Sequence, residues 1–290
     1  MKKLRLVAIA FGCILTLTAC AQTDGNQART NENRNLTEQK QLDVGENKRI
    51  RQLQTDDDTP KLTDGSEKTF RKADSLTLED LRKKYSSTFL LNGKTDRREV
   101  ALTFDDGPDA EFTPRVLDEL KKAGIHATFF VVGNRIEANP EVFQRIIDEG
   151  HAVGNHTYNH PKCPKLSDAE FQEQIIRTDK IIRSYVGYLP SLFRPPYGAI
   201  SEDQILWLAG NHKKVINWNV DSLDWKGLNA DEVYTNVMTQ TGTGSIILQH
   251  SAGGQGEDLT GTVEAISRIV EKLKQDGINF VTVPDMIDLK

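Results

Sequence analysis

Cysteine is scarce: the chain has three in 290 residues, at positions 13, 20 and 163. Thiols this few and this widely spread make no disulfide framework, so the fold must rest on a packed core. Long apolar runs are missing too. The stretch Leu6 to Leu17 is the longest, short of the ~20 residues that a mature membrane-spanning helix needs. Positive charge is not in excess. The net charge of −5 argues against nucleic acid as a partner. Aromatic residues are absent between positions 21 and 65, where Asn, Gln, Asp, Lys and Thr dominate. Such a stretch cannot bury enough apolar surface to order itself, and residues 20–65 are expected to form a flexible tether.

What is present first is a targeting pattern. Lys2, Lys3 and Arg5 precede the apolar run, which ends in Leu17-Thr18-Ala19-Cys20. This resembles the lipobox of bacterial lipoproteins. The resemblance implies that residues 1–19 are a signal peptide and that Cys20 becomes a lipidated first residue. Two acyl chains on one cysteine give stable anchoring where a single chain does not. The expected location is the outer face of the bacterial cytoplasmic membrane, and the processed chain carries a net charge of −8 once Lys2, Lys3 and Arg5 are gone. Residues 66–96 form a short lead-in, with a helical pattern over Leu76–Lys84 and a strand over Thr88–Leu91.

From residue 97 the pattern alternates. Apolar strands are expected at Val100–Phe104, Ala127–Val132, Ala152–Gly154, Leu192–Phe193, Val215–Trp218, Ser245–Leu248 and Phe280–Val283. A helix starts at Thr113-Pro114 and stops at Gly124. Another opens at Asn139-Pro140 and closes at Gly150, and Ser167 with Glu170 forms a capping box for a long amphipathic helix. The last helix carries Val263, Ile266, Ile269, Val270 and Leu273. Repeated βα units dictate a parallel sheet, and about seven of them predict an α/β fold closed, or nearly closed, into a (β/α) barrel. In such barrels chemistry sits at the carboxyl ends of the strands.

Chemistry-bearing residues cluster there. His156 and His160 lie four apart, a spacing that on a helical turn aims two imidazoles at one ion. Upstream, Thr103-Phe104-Asp105-Asp106-Gly107-Pro108 ends a strand with adjacent carboxylates. Downstream lie Arg194-Pro195-Pro196-Tyr197, Asp221-Ser222-Leu223-Asp224-Trp225 and Leu248-Gln249-His250. One carboxylate and two imidazoles leave a metal coordination position open for water, and the neighbouring carboxylate is then a general base. Spacing alone permits either order for Asp105 and Asp106. Asp-Gly-Pro is also plain turn chemistry, and both readings can hold together. Cys163 follows His160 by three residues, and soft sulfur suits zinc. Pro161 and Pro164 flank it, however, and no base is paired with it, so it reads as an incidental loop residue. His126, His151 and His212 read as structural or exposed.

These five motifs, in this order, resemble those of the polysaccharide deacetylases, the carbohydrate esterase family 4 enzymes with a NodB homology domain. The resemblance covers about residues 97–285, so residues 97–290 are taken as that domain. It implies a deformed (β/α) barrel, one divalent metal ion (zinc first, with cobalt or manganese as alternatives) and hydrolysis of N-acetyl groups in peptidoglycan or a related glycan. It orders the aspartates: Asp106 joins His156 and His160 on the metal, and Asp105 is the base. Arg194 would hold Asp105 ionised, and the backbone N–H of Tyr197 would complete an oxyanion hole. His250 would protonate the leaving amine with Asp224 on its other nitrogen. Tyr197, Trp225 and Leu248 would contact the substrate, the last two as the acetyl slot and a groove wall. The expected partners are an acetylated glycan and, through Cys20, the membrane; a monomer is expected. Two other readings stand beside this one: an O-acetyl esterase with the same ligands and base, and a glycan-binding lipoprotein without turnover.

The anchoring expectation is checked with Cys20→Ser. The variant should be released from membranes or keep its signal peptide, and persistent lipid labelling would exclude the lipobox.

Overall fold

The computed structural model describes residues 59–65 and 78–289. The expectations for the signal peptide 1–19, for Cys20, for linker residues 20–58 and for residues 66–77 lie outside the described residues.

In chain order the elements are α1 (Leu78–Lys84), β1 (Phe89–Leu90), β2 (Glu99–Asp105), α2 (Phe112–Ala123), β3 (Thr128–Val131), α3 (Gly133–Ala138) and α4 (Pro140–Asp148). There follow β4 (Ala152–Asn155), α5 (Asp168–Val186), β5 (Leu192–Phe193), α6 (Glu202–Gly210), β6 (Lys214–Ile216) and β7 (Val220–Asp221). The chain closes with α7 (Ala230–Gln240), β8 (Ile246–His250), α8 (Thr260–Gln275), β9 (Asn279–Phe280) and α9 (Val283–Met286).

The ladders between these strands are parallel, in the order β1-β6-β5-β4-β3-β2-β8-β7, with β9 on the start of β2. The sheet curls into a deformed (β/α) barrel. Only residues 217–219 separate β6 from β7, so one short crossing spans the seam of the curl without a ladder. Among the described residues nine strands replace the expected seven or so, because β1 extends the sheet beyond β6 and the Val215–Trp218 region feeds two short strands. β2 is the hub. Its helix-facing positions Val100, Leu102 and Phe104 are fully buried with Val116, Leu117 and Leu120 of α2 and Ile266 and Ile269 of α8 in one cluster. Its alternate position Ala101 joins Phe130, Leu192, Ile216, Ile246, Val283 and Met286 in another. That cluster fills the inside of the curl, and the pleat puts Thr103 and Asp105 on the same side as Ala101.

Several local expectations are corrected. The first long helix starts at Phe112, and its free N–H groups are met by Asp109, whose Oδ1 accepts from Phe112 (2.8 Å) and Thr113 (2.7 Å). The Thr113 hydroxyl bonds Ser251 O instead (2.9 Å), and Pro114 sits in the first turn, where its missing N–H costs nothing. Phe280–Val283 is not one strand: only Asn279–Phe280 pairs, and Thr282 caps α9. The capping box of Ser167 and Glu170 is present as expected. The end of the stretch expected as a tether is ordered. Thr59–Gly65 lies against the domain with Leu62 only 6% exposed, and Thr63 N–H donates to Asn159 O (2.9 Å).

His151, ahead of β4, is buried rather than exposed. Its Nδ1 accepts from Ala127 N–H (3.1 Å), and its ring meets His126 and Phe129 edge to face. Burial, with His126 adding to it, lowers its pKa from 6.5 to about 4. The sign follows. Below pH 6.5 the unfolded chain takes up a proton that the folded chain refuses until about pH 4. Stability fully present above the upper value is therefore lost between the two, by about 2–3 kcal/mol. Urea unfolding at pH 7 and pH 4.5 should show this loss in the native chain and a smaller one in His151→Gln; equal losses would exclude His151 as the source.

Candidate active site

All five motifs stand at carboxyl ends of strands. β2 ends in Asp105, β4 runs into His156, β5 into Arg194, β7 into Asp221, and β8 ends in His250. Register sets neighbours: Asp105 pairs with His250, and Thr103 with Leu248.

The two histidines do not share a helical turn. They sit in the loop after β4, where Thr157 (φ 69°) and His160 (φ 62°) both adopt the left-handed conformation. The reversal brings the rings together, with centroids 4.9 Å apart. Asn155 holds its entry: Oδ1 accepts from Thr157 N–H (2.8 Å), and Nδ2 donates to Asp179 of α5 (2.7 Å), which also meets Lys213 (2.6 Å). Asp106 (φ 70°), Tyr197 (φ 61°) and Leu223 (φ 56°) are left-handed as well. Non-glycine residues held there cost roughly 1–3 kcal/mol each, and their gathering at one rim marks a site held by its surroundings. Gly107 is required by close approach, since a Cβ would stand 2.5 Å from Ser251 Oγ.

Asp106, His156 and His160 each offer a ligand atom within 4.8 Å of the others, and all three are buried. Asp106 Oδ1 lies 3.3 Å from His156 Nε2 and 3.2 Å from His160 Nε2. Asp106 Oδ1 and His160 Nε2 are buried and carry no hydrogen bond. His156 Nδ1 faces the carbonyl of Arg194 at 2.7 Å. A carbonyl only accepts, so Nδ1 carries a proton, and Nε2 is the nitrogen turned toward Asp106 and available to a metal ion. One carboxylate and two imidazoles with orphaned atoms converging fit a divalent ion that keeps a position open. Burial alone would raise the Asp106 carboxyl; the His160 and His156 rings outweigh it and hold it well below the usual range. Burial likewise lowers His156, and Asp105 and Asp106 more than offset this, so its pKa is raised. Cys163 is not in the cluster. It is buried in a tight turn, where burial pushes its thiol well up, away from the reactive thiolate.

Asp105 meets Arg194 as expected: Nη1 donates to Oδ1 at 2.7 Å. Arg194 is fully buried and also bonds Thr103 Oγ1 (2.8 Å), Ile216 O (2.9 Å) and Asn217 O (3.3 Å), with its guanidinium 4.1 Å above the Phe130 ring. Asp105 Oδ2 points toward the ligand cluster, 3.8 Å from His156 Nε2. Across the ladder, His250 Nδ1 bonds Asp224 Oδ1 (2.7 Å), and Asp224 Oδ2 accepts from His250 N–H (2.8 Å) and Thr262 Oγ1 (2.9 Å). Burial would raise the Asp224 carboxyl; His250 and these donors lower it. The carboxylate fixes the ring proton on Nδ1 and leaves Nε2 to the site. Trp225 joins this unit through its backbone N–H, which donates to Asp224 Oδ1 (2.8 Å), and Leu248 lies buried two residues below His250 on the same face.

Tyr197 is more than a backbone position, because its hydroxyl stands 3.1 Å from His160 Nδ1. Sequence reasoning missed that contact. It also missed Thr262 on α8, Arg135 of α3, whose Nη1 donates to Asp106 O (2.9 Å), and the Asn155–Asp179–Lys213 chain. Asn155 alone carried a signal, as a polar residue ending an apolar strand beside His156.

A parallel barrel whose rim gathers a two-histidine, one-aspartate cluster able to hold a metal ion, beside an arginine-held carboxylate and a carboxylate-held histidine, has the layout of a hydrolase site. The chain belongs to the polysaccharide deacetylase family, whose pattern matches residues 92–213. It is 46% identical over 203 residues to a peptidoglycan-N-acetylglucosamine deacetylase of Bacillus cereus, covering 70% of this chain and 72% of that one. It is 40% identical to the peptidoglycan-N-acetylmuramic acid deacetylase PdaC of Bacillus subtilis, covering 67% of this chain and 40% of that longer one. A solved structure of the Bc1960 peptidoglycan N-acetylglucosamine deacetylase superposes with a TM-score of 0.71 at 43% identity, covering 74% of this chain and 99% of that one. The family match reaches the first three motifs; the Asp224 and His250 motifs lie beyond it and are joined to them by the β2–β8 ladder.

The buried Asp105–Arg194 pair yields a stability test. Arg194→Met strands a carboxylate in the core and should cost about 3–5 kcal/mol. Adding Asp105→Leu should recover part of that loss in urea unfolding; purely additive losses would mean that the two charges are not coupled.

Proposed function

We propose that the protein is a metal-dependent deacetylase that hydrolyses N-acetyl groups of bacterial cell-wall glycan and releases acetate. The observation that carries this is the convergence of Asp106, His156 and His160, with bare imidazole nitrogen and an orphaned carboxylate oxygen, beside Asp105 and His250 on paired strands. The donor set favours zinc, with cobalt or manganese as alternatives. When bound, such an ion lowers the pKa of a water and polarises an acetyl carbonyl.

The remaining work falls to side chains of this chain. Asp105 accepts the proton of the attacking water through Oδ2, because Oδ1 is committed to Arg194. Arg194 keeps Asp105 ionised and aimed. The Tyr197 backbone N–H serves as an oxyanion donor in this reading, as in the family. His250 Nε2 hands a proton to the departing amine while Asp224 holds the other side of the ring. Leu248 and Trp225 bound the acetyl slot and the sugar groove. The relatives named above act on N-acetylglucosamine or N-acetylmuramic acid in peptidoglycan, and that polymer is the proposed substrate here. Cys20 would anchor a monomeric enzyme to the outer face of the cytoplasmic membrane, next to its substrate.

Purified protein supplied with zinc and peptidoglycan should release acetate and expose free amine in equal amounts. Acetate without amine would indicate an O-acetyl esterase, and neither product a binding protein. Asp105→Asn should keep its metal and lose roughly 10²–10⁴ in rate, the usual worth of a general base. Asp106→Asn should lose metal affinity instead; the opposite pattern in metal content would exchange the two roles.

A further inference from the structure

We propose that the segment Thr59–Gly65 is a working part of the metal site: through the Tyr197 hydroxyl, the Gly65 carbonyl fixes which nitrogen of His160 faces the metal. This rests on the metal-site reading above and extends it to residues well ahead of the family-matched region, which starts at residue 92.

The segment is held along its whole length. Asn139 Nδ2 donates to Thr59 Oγ1 (3.1 Å) and Arg135 Nε to Pro60 O (3.2 Å). Leu62 is buried, Thr63 N–H donates to Asn159 O (2.9 Å), and Lys162 N–H donates to Asp64 Oδ2 (2.7 Å). Its end, Gly65 O, accepts from the Tyr197 hydroxyl at 2.7 Å. These anchors are not spread at random over the surface. Asn159 and Lys162 flank His160 in the chain, and Arg135 also bonds the backbone oxygen of Asp106 (2.9 Å). Thr59–Gly65 therefore grips the loops of two of the three ligands.

The proton count gives this contact its chemical meaning. A phenol has one proton. Here it goes to Gly65 O, and a carbonyl offers none in return, so the Tyr197 oxygen must accept from His160 at the 3.1 Å contact. His160 Nδ1 is then the protonated nitrogen, and Nε2 presents its lone pair to Asp106. His156 reaches the same state directly from the Arg194 carbonyl. His160 has no such carbonyl and borrows one from Gly65. Without it, the hydroxyl is free to donate into Nδ1, which moves the ring proton to Nε2, where a metal must bind. Tyr197 is in this respect a positioning residue, and Gly65 acts through it.

The test uses the full chain. In metal-free protein, long-range 1H–15N spectra identify the protonated nitrogen of His160, and competition with a chelating indicator gives zinc affinity. The native chain should show protonated Nδ1. Tyr197→Phe, which removes the hydroxyl, and Leu62→Asp, which unseats the segment, should both lose the single tautomer and bind zinc roughly 10–100-fold more weakly, the usual worth of such outer contacts. Asp64→Ala, a milder release, should shift both readouts in the same direction, and it decides the question if Leu62→Asp fails to unfold cooperatively. Weaker zinc binding in Tyr197→Phe alone, with the segment variants unchanged in affinity and tautomer, overturns the proposal. A native chain that binds no zinc overturns both this and the metal-site reading.

Discussion

The guanidinium of Arg194 is the contact on which the rest depends. It is fully buried, and a buried cation is tolerated only with a full set of partners. Those partners come from β2 through Asp105 and Thr103, from β6 through the Ile216 carbonyl and from the seam through the Asn217 carbonyl. The backbone of the same residue accepts from His156. One side chain thus ties β2 to β6 across the curl, aims the carboxylate beside the ligand cluster, and shares a residue with the acceptor that orients a ligand histidine. Because the ion pair leaves solvent only when the sheet has curled, barrel geometry and site electrostatics form together.

Around that contact the site divides into paired units, each with a group that acts and a group that holds it. Asp105 has Arg194, His250 has Asp224 backed by Thr262, His156 has the Arg194 carbonyl, and His160 has Tyr197. Every holding group is buried, so its hydrogen bonds compete with little water. This arrangement explains how loops carrying five left-handed non-glycine residues stay in place: the strain of each is opposed by buried hydrogen-bonded neighbours.

Much of this was legible from residue pattern because the strands are short apolar runs and the reacting residues directly follow them. The βα alternation and the five motifs could be read in this way, whereas the Asp105–Arg194 and Asp224–His250 pairs followed only from the family resemblance those motifs carry. Helices α6 and α7 were not expected, although Ser201 with Gln204 and Asn229 with Glu232 form the same capping box as Ser167 with Glu170. What stayed hidden has a common physical cause. The turn at Thr157 and His160 is fixed by Asn155, which depends on Asp179 in a later helix, and spacing alone suggested a helical turn instead. Thr59–Gly65 is polar and has no aromatic residue, and it is ordered by hydrogen bonds to remote residues and one buried leucine, none of which composition records.

The central position of β2 has a consequence for how the molecule comes into being. Asp106, His156 and His160 all issue from β2 and β4, with only β3 between them in the sheet, so the ligand set can close over a short stretch of chain. His250 reaches the same rim through β8, which pairs with β7 on one side and with β2 on the other, where the Thr103 hydroxyl bonds the carbonyl of Ile247 across 144 residues. Contacts this remote in sequence form late and slowly. An emerging chain therefore carries all three ligand residues about ninety residues before it carries its proton donor.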